Sequence, residues 1–265
     1  AVGALAEILA GRNGRLDEAA LEIASLEYPD LDPRSALAKL DAFAAAVQPG
    51  LSGRRLIERM RVVLFDEGGL RGNEHDYYDP RNSYLNDVLA RGLGIPITLS
   101  IIYLEVGRRV GMPVFGVGTP GHFLVGYDDG RTRTYLDPFH GGRELTARQC
   151  LELAEERSGL TVDPQVLRPV TNFEIAVRVL ANLRGIFLRL QQFGKLVAVL
   201  DRLLAARPAW AEGYRERGMA QIRCRRFRHA KADLERYLLL AESPADRPAV
   251  QSTILDINRY LTLVN

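Results

Sequence analysis

The chain has 265 residues, 47% hydrophobic and 26% charged, with 35 Lys+Arg against 33 Asp+Glu. That composition suits one large or two small globular domains and gives no reason to expect a fibrous or disordered chain. No apolar run is long enough to span a bilayer, Ala1-Val-Gly-Ala-Leu-Ala lacks the regions of a secretory signal, and Cys150 and Cys224 provide neither a disulfide framework nor zinc spacing. The expectation is therefore a cytoplasmic protein with no membrane partner and no cofactor.

Charge divides the chain unevenly. Residues 1–168 carry 19 Lys+Arg against 24 Asp+Glu, a balance of −5, and residues 169–265 carry 16 against 9, or +7. A boundary near Arg168-Pro169 follows. The fold class expected is α+β: a helical layer over 1–66, a core over 67–168 and an all-α tail over 169–265.

Leu5 to Leu64 reads as helices. Asp17 heads a segment with Ala20, Leu21 and Ala24 at helical spacing, Tyr28 to Pro33 breaks it, Ser35 to Val47 forms a second helix, and Gly53 to Phe65 a third. Glu67 to Pro80 is a polar and aromatic loop. Asn82-Ser83 leads into a helix over Tyr84–Leu93, where one of these polar residues should cap it. Asn82 and Asn86 lie one helical turn apart and could offer amide donors to a bound carbonyl, but capping and loop bracing is the preferred reading of them.

The central stretch is Gly94 to Pro138. Ile97 to Val110 is apolar nearly all round and predicts a buried helix, opened by Pro96 and stopped by Gly111-Met-Pro113. Strands follow over Val114–Val117 and His122–Tyr127, then a turn at Asp128-Asp129-Gly130 and a return strand over Thr132–Leu136. With Asp129-Gly130 as a two-residue hairpin loop, paired residue numbers sum to 259, which sets His122 directly opposite Asp137. A carboxylate holding an imidazole is two thirds of a nucleophilic triad. The third member belongs at the start of the buried helix, where the dipole lowers a thiol pKa, and Gly94-Ile-Pro-Ile-Thr98 contains no cysteine.

The order helix, GMP, strand, GHFLV, strand, YLDP resembles the transglutaminase-like superfamily. The stretch YYDPRNSYLNDVLARGLGIPITLSIIYLEVGRRVGMPV, with GTPGHFLVGY and YLDPFHGG, is similar to its bacterial SirB-type branch, which joins a transglutaminase-like core to a tetratricopeptide tail. The resemblance covers the chain from about Leu16 onward. It implies a Cys-His-Asp order in which the histidine is His122 and the aspartate Asp137, while the cysteine falls at or beside Pro96. Gly121, in the GHFLV motif, and Pro96 and Thr98 would then line the binding cleft.

Beyond Asp137, His140 reads as a loop histidine that lines the same cleft. A metal held by His122, Asp137 and His140 is the other option, and the hairpin argues against it by aiming Asp137 at His122, so no metal is expected. Thr146 to Arg157 predicts a helix with Cys150 as a small core residue. In the tail, Phe193 and Phe227 are spaced at the tetratricopeptide period of about 34 residues. Tyr214, Gly218 and Ala230 fit the second unit, Leu183, Phe187 and Leu200 fit the first more loosely, and Arg247–Val264 forms a closing helix. Because two such units bury their faces on neighbours, the tail is expected to pack on the core. The basic run Arg223–Lys231 reads as a solvated turn, and no nucleic-acid partner is expected.

Two functions follow. The first is a non-catalytic module, a vestigial His122–Asp137 dyad in a cleft that binds a protein or peptide together with the repeat surface. The second is an acyl-transfer or amide-hydrolysing enzyme with Ser100 or Thr98 as nucleophile.

Overall fold

The computed structural model describes residues 3–12, 14–243 and 245–264. The chain divides into two compact units, 1–179 and 180–265. The division falls inside a helix, α8 (Asn172–Arg189), and each unit has its own core.

In the first unit, helices α1 (Ala4–Leu9), α2 (Leu16–Ala24), α3 (Arg34–Ala46) and α4 (Gly53–Arg61) precede a wider π-type turn, Val62–Glu67. Strand β1 (Arg71–Gly72) pairs in parallel with β2 (Leu93–Gly94) on the far side of α5 (Leu85–Arg91). The central helix α6 runs from Pro96 to Arg109, with Pro96 at its first position, where the missing N–H costs no hydrogen bond. Every residue from Pro96 to Gly107 is buried, so this helix is core on all sides. An ion network ties it to the helical layer. Asp17, fully buried on α2, is 2.6 Å from Arg109 and 2.8 Å from Arg15, and Arg109 also reaches Asp41 of α3 at 2.6 Å.

After α6 come β3 (Val114–Val117), β4 (Leu124–Asp128), β5 (Arg133–Asp137) and β6 (Arg143–Leu145), an antiparallel sheet in chain order. The helix α7 (Ala147–Ser158) follows, and its Cys150 packs with Val117, Leu124, Tyr135 and Leu145. Thr146 and Gln149 close a capping box at its start.

The hairpin register differs from the expected one. Val125 faces Leu136 and Tyr127 faces Thr134, so paired numbers sum to 261, not 259. The loop centres on Gly130-Arg131, one residue later, with Gly130 at φ +79° and the Asp129 N–H bonded to the Thr132 carbonyl at 3.3 Å. The Asp129 side chain causes the shift: its Oδ1 accepts from the N–H groups of Arg131 (2.9 Å) and Thr132 (2.7 Å), closing the turn around itself. Strand β4 accordingly starts at Leu124, leaving His122 and Phe123 just ahead of it.

The second unit contains the rest of α8, then α9 (Phe193–Ala206), α10 (Ala211–Arg223), α11 (Phe227–Leu240) and α12 (Arg247–Val264). Phe193 and Phe227 each open the second helix of a pair. The turns before them are the same structure, repeated one period later. Gln191 (φ 54°) and Arg225 (φ 58°) are left-handed, and the N–H groups of Gln192 and Arg226 bond the carbonyls of Phe187 and Gln221, both at 2.9 Å. Gly218 allows close packing of α10 on α11, since a Cβ there would lie 3.0 Å from the Leu234 side chain. Helix α12 closes the array by packing Val250, Ile254 and Ile257 on Leu234 and Tyr237. The basic run expected as a turn is one only over Cys224–Arg226; from Phe227 onward it is the first part of α11.

Candidate functional site

His122 and Asp137 meet although the register differs from expectation. A shift of two in the sum keeps every side chain on its own face of the sheet, because the side-chain period is two. The separation of His122 Nε2 from Asp137 Oδ1 is 2.9 Å, and both residues are buried. The second carboxylate oxygen is also occupied: His140 Nδ1 is 2.6 Å from Oδ2 and Arg143 NH2 is 3.2 Å from it. Burial pushes the Asp137 carboxyl up, but the bonds and charges of His122 and His140 outweigh it and hold the group down at about 2. Asp137 is therefore ionised at neutral pH and each imidazole donates an N–H to it.

Three pieces of local structure position these groups. His140 ends the tight 3-10 turn Pro138–His140, which brings it back to Asp137. This turn lies beside β1, where a Cβ on Gly72 would come 2.6 Å from the Phe139 carbonyl oxygen, so only glycine fits. The His122 and His140 rings stack at 5.8 Å, and Phe139 meets the edge of His122 at 6.0 Å. The backbone ahead of His122 turns at Gly121 (φ +68°), where a Cβ would be 2.8 Å from Arg157 Cβ. Arg178 then fixes that turn, donating from NH2 to the carbonyls of Thr119 (2.6 Å) and His122 (2.7 Å). Arg178 was invisible to sequence reasoning, since no periodicity relates it to a histidine so far back in the chain.

The other expected site residues are arranged differently. Asn82 is fully buried and spent on its own loop: Oδ1 accepts from Asn73 (3.1 Å), and Nδ2 donates to the carbonyls of Asp76 (2.7 Å) and Tyr77 (3.3 Å). That leaves no amide hydrogen for a substrate carbonyl. Neither Asn82 nor Ser83 caps α5, whose N-cap is Tyr84 with no side-chain cap; it is Asp79 that caps the short turn before it, accepting from the Arg81 N–H at 3.0 Å. Asn86 Oδ1 is buried without a partner, as are Thr98 Oγ1 and Ser100 Oγ. Neither hydroxyl therefore meets the His122 imidazole. Cys150 is fully buried, and desolvation, followed by the charge of Asp137, pushes its thiol up to about 12.

The repeat unit holds a groove of about 550 Å³ between α8, α9 and α10. Leu188 and Met219, each nearly half exposed, line it with Ile222. Arg184, Glu216 and Arg223 add charge; Arg184 pairs with Glu216 at 2.6 Å and Arg223 stacks on Phe193 at 4.9 Å.

Comparison with known proteins matches both units. Residues 34–181 match the transglutaminase-like superfamily, and residues 183–254 match the tetratricopeptide repeat. A protein of Xylella fastidiosa named UPF0162 is 36% identical over 250 residues, covering 90% of this chain and 88% of that protein. A UPF0162 protein of Vibrio cholerae is 31% identical over 168 residues, 61% of this chain and 62% of its own length. Human F-box only protein 21 is 36% identical over 104 residues, 36% of this chain and 17% of that protein. The dyad geometry, the sheet against a buried helix and the likeness to the Xylella UPF0162 protein over 90% of this chain converge: the chain belongs to the transglutaminase-like superfamily, in a form that carries tetratricopeptide repeats after the core.

Proposed function

We propose that the chain is a non-catalytic protein-binding module of regulatory or scaffolding type, in which a transglutaminase-like core without its thiol is joined to a repeat unit that docks a peptide. The observation that carries this reading is the first position of α6, occupied by Pro96 where the superfamily resemblance puts the cysteine. Ser100 and Thr98 do not replace it, because both hydroxyls are buried and bond to nothing. His122 and Asp137 then serve as a buried, hydrogen-bonded brace between β5 and the turn ahead of β4. The groove of the repeat unit supplies the docking surface, with an apolar floor to bury a partner's side chains and charges at the rim to fix its register.

The test pairs a chemical probe with a pull-down. Activated acyl probes directed at serine and thiol should leave residues 1–179 unlabelled, while the intact chain captures peptides and loses them on Met219→Glu. A stoichiometric acyl adduct on Ser100, Thr98 or Cys150 would overturn the reading in favour of an acyl-transfer enzyme.

A further inference from the structure

The carboxylate of Asp137 is shared by two imidazoles, so the hairpin does not reserve it for His122 alone. His122, Asp137 and His140 each offer one ligand atom, a ring nitrogen or a carboxylate oxygen, and these all lie within 4.8 Å of one another. We propose that His122, Asp137 and His140 form a binding site for one divalent transition-metal ion of the zinc type. The inference is independent of the peptide-docking reading and stands or falls separately from it.

Two imidazole nitrogens and one carboxylate oxygen are a donor set suited to zinc and the later first-row metals. With bonds of about 2.0–2.2 Å, a zinc ion keeps its ligands roughly 3.3 Å apart, so the two nitrogens close on it while the hydrogen-bonded contacts to Asp137 open slightly. The scaffold holds this arrangement before any ion arrives. His140 is fixed three residues beyond Asp137 by the 3-10 turn, the turn is fixed by Phe139 over Gly72, and His122 is fixed by the Arg178 clamp on its carbonyl.

Ligation needs the inward ring nitrogens bare, which a tautomer change of each neutral imidazole supplies. The proton on His122 Nε2 passes to Nδ1, and the proton on His140 Nδ1 passes to Nε2, leaving the inward nitrogens bare. Glu74 Oε1 lies 3.8 Å from His140 Nε2 and stands ready to accept that proton's hydrogen bond, the outer carboxylate that commonly orients a ligating histidine. Arg143, at 3.2 Å from Asp137, has a side chain 49% exposed and turns out to solvent as the ion takes over its role of neutralising the carboxylate. His140, with its side chain 23% exposed against 2% and 0% for the others, marks the path of entry.

The full chain, stripped with a chelator, is titrated with zinc against a chromophoric competitor, and separately with cobalt(II) followed by visible absorption. One zinc per chain is expected, with the cobalt spectrum of a mixed nitrogen–oxygen site. His140→Ala should weaken zinc by about tenfold or more, the scale on which loss of even an outer partner is felt. His75→Ala, an exposed histidine of the neighbouring loop, should not change it. Ring-nitrogen NMR of the unmutated chain guards against a folding defect in the variant, since zinc must shift both His122 and His140. No saturable equivalent, equal weakening by His75→Ala, or unmoved His122 and His140 signals would each overturn the proposal.

Discussion

Replacing Asp137 by Asn tests the energetics of the shared carboxylate. The side chain keeps its size and one acceptor but loses its charge. With the carboxyl held at about 2 against an unperturbed 3.8, linkage makes its ionised form worth about 2 kcal/mol of stability. The sign follows from the direction of the shift. A lowered carboxyl stabilises the fold above its unfolded pKa and ceases to do so as pH falls through the folded value. The penalty of Asp137→Asn should therefore be about 2 kcal/mol at pH 5, shrink to about 1 kcal/mol at pH 3, and all but vanish below pH 2, where the native residue is itself neutral. Urea unfolding at each pH, with hydrogen exchange at the β4 amides Leu124–Asp128 as the local probe, measures it. A penalty that stays constant between pH 5 and pH 3 would refute the claim that the charge of Asp137, rather than its shape, braces the site.

Three further outcomes are expected. Gly72→Ala should cost about 1–3 kcal/mol, because the Phe139 backbone oxygen 2.6 Å from the new Cβ cannot swing aside; a thermal melt reads the loss, and an unmoved His140 ring signal would contradict the proposed link to the Pro138–His140 turn. Asp17→Asn should cost about 1–3 kcal/mol by removing one of the carboxylates that Arg109 shares with Glu105 and Asp41, and no measurable loss in denaturant titration would show the network to be a surface ornament. Alkylation of the native chain at pH 8 should modify Cys224 and spare Cys150, whose buried thiol is pushed up to about 12; mass spectrometry that finds Cys150 modified first would contradict the burial.

Much of the fold was legible in the sequence because the relevant signals are local. Pro96 and Gly111 bound an apolar run that could only be a buried helix, and it runs from Pro96 to Arg109. The spacing of Phe193 and Phe227 named the repeats, whose turns recur at that same interval. The hairpin was harder. Asp128-Asp129-Gly130-Arg131 offers two loops one residue apart, and hydrophobic patterning cannot choose between them because both leave the same faces inward. The Asp129 side chain makes the choice. His140 was placed in the cleft, but its bond to Asp137 depends on a three-residue turn bending back, which no pattern announces. Arg178 lay beyond reach for another reason, since its role comes from a helix packed against a turn far away in sequence. Asn82 braces its own loop, the reading preferred for it over an amide donor, although composition does not reveal which backbone carbonyls it meets.

The matched left-handed turns at Gln191 and Arg225 bear on how this part of the chain tolerates change in length. Each helical pair bends at its middle on the same backbone geometry, so duplicating a whole pair between α11 and α12 would present the closing helix with a surface like the one it already covers. Gains or losses of whole repeat units keep that inner turn in place, while any other step turns a buried stripe outward. The C-terminal unit is thus free to lengthen its helical face by duplication without redesigning its lid.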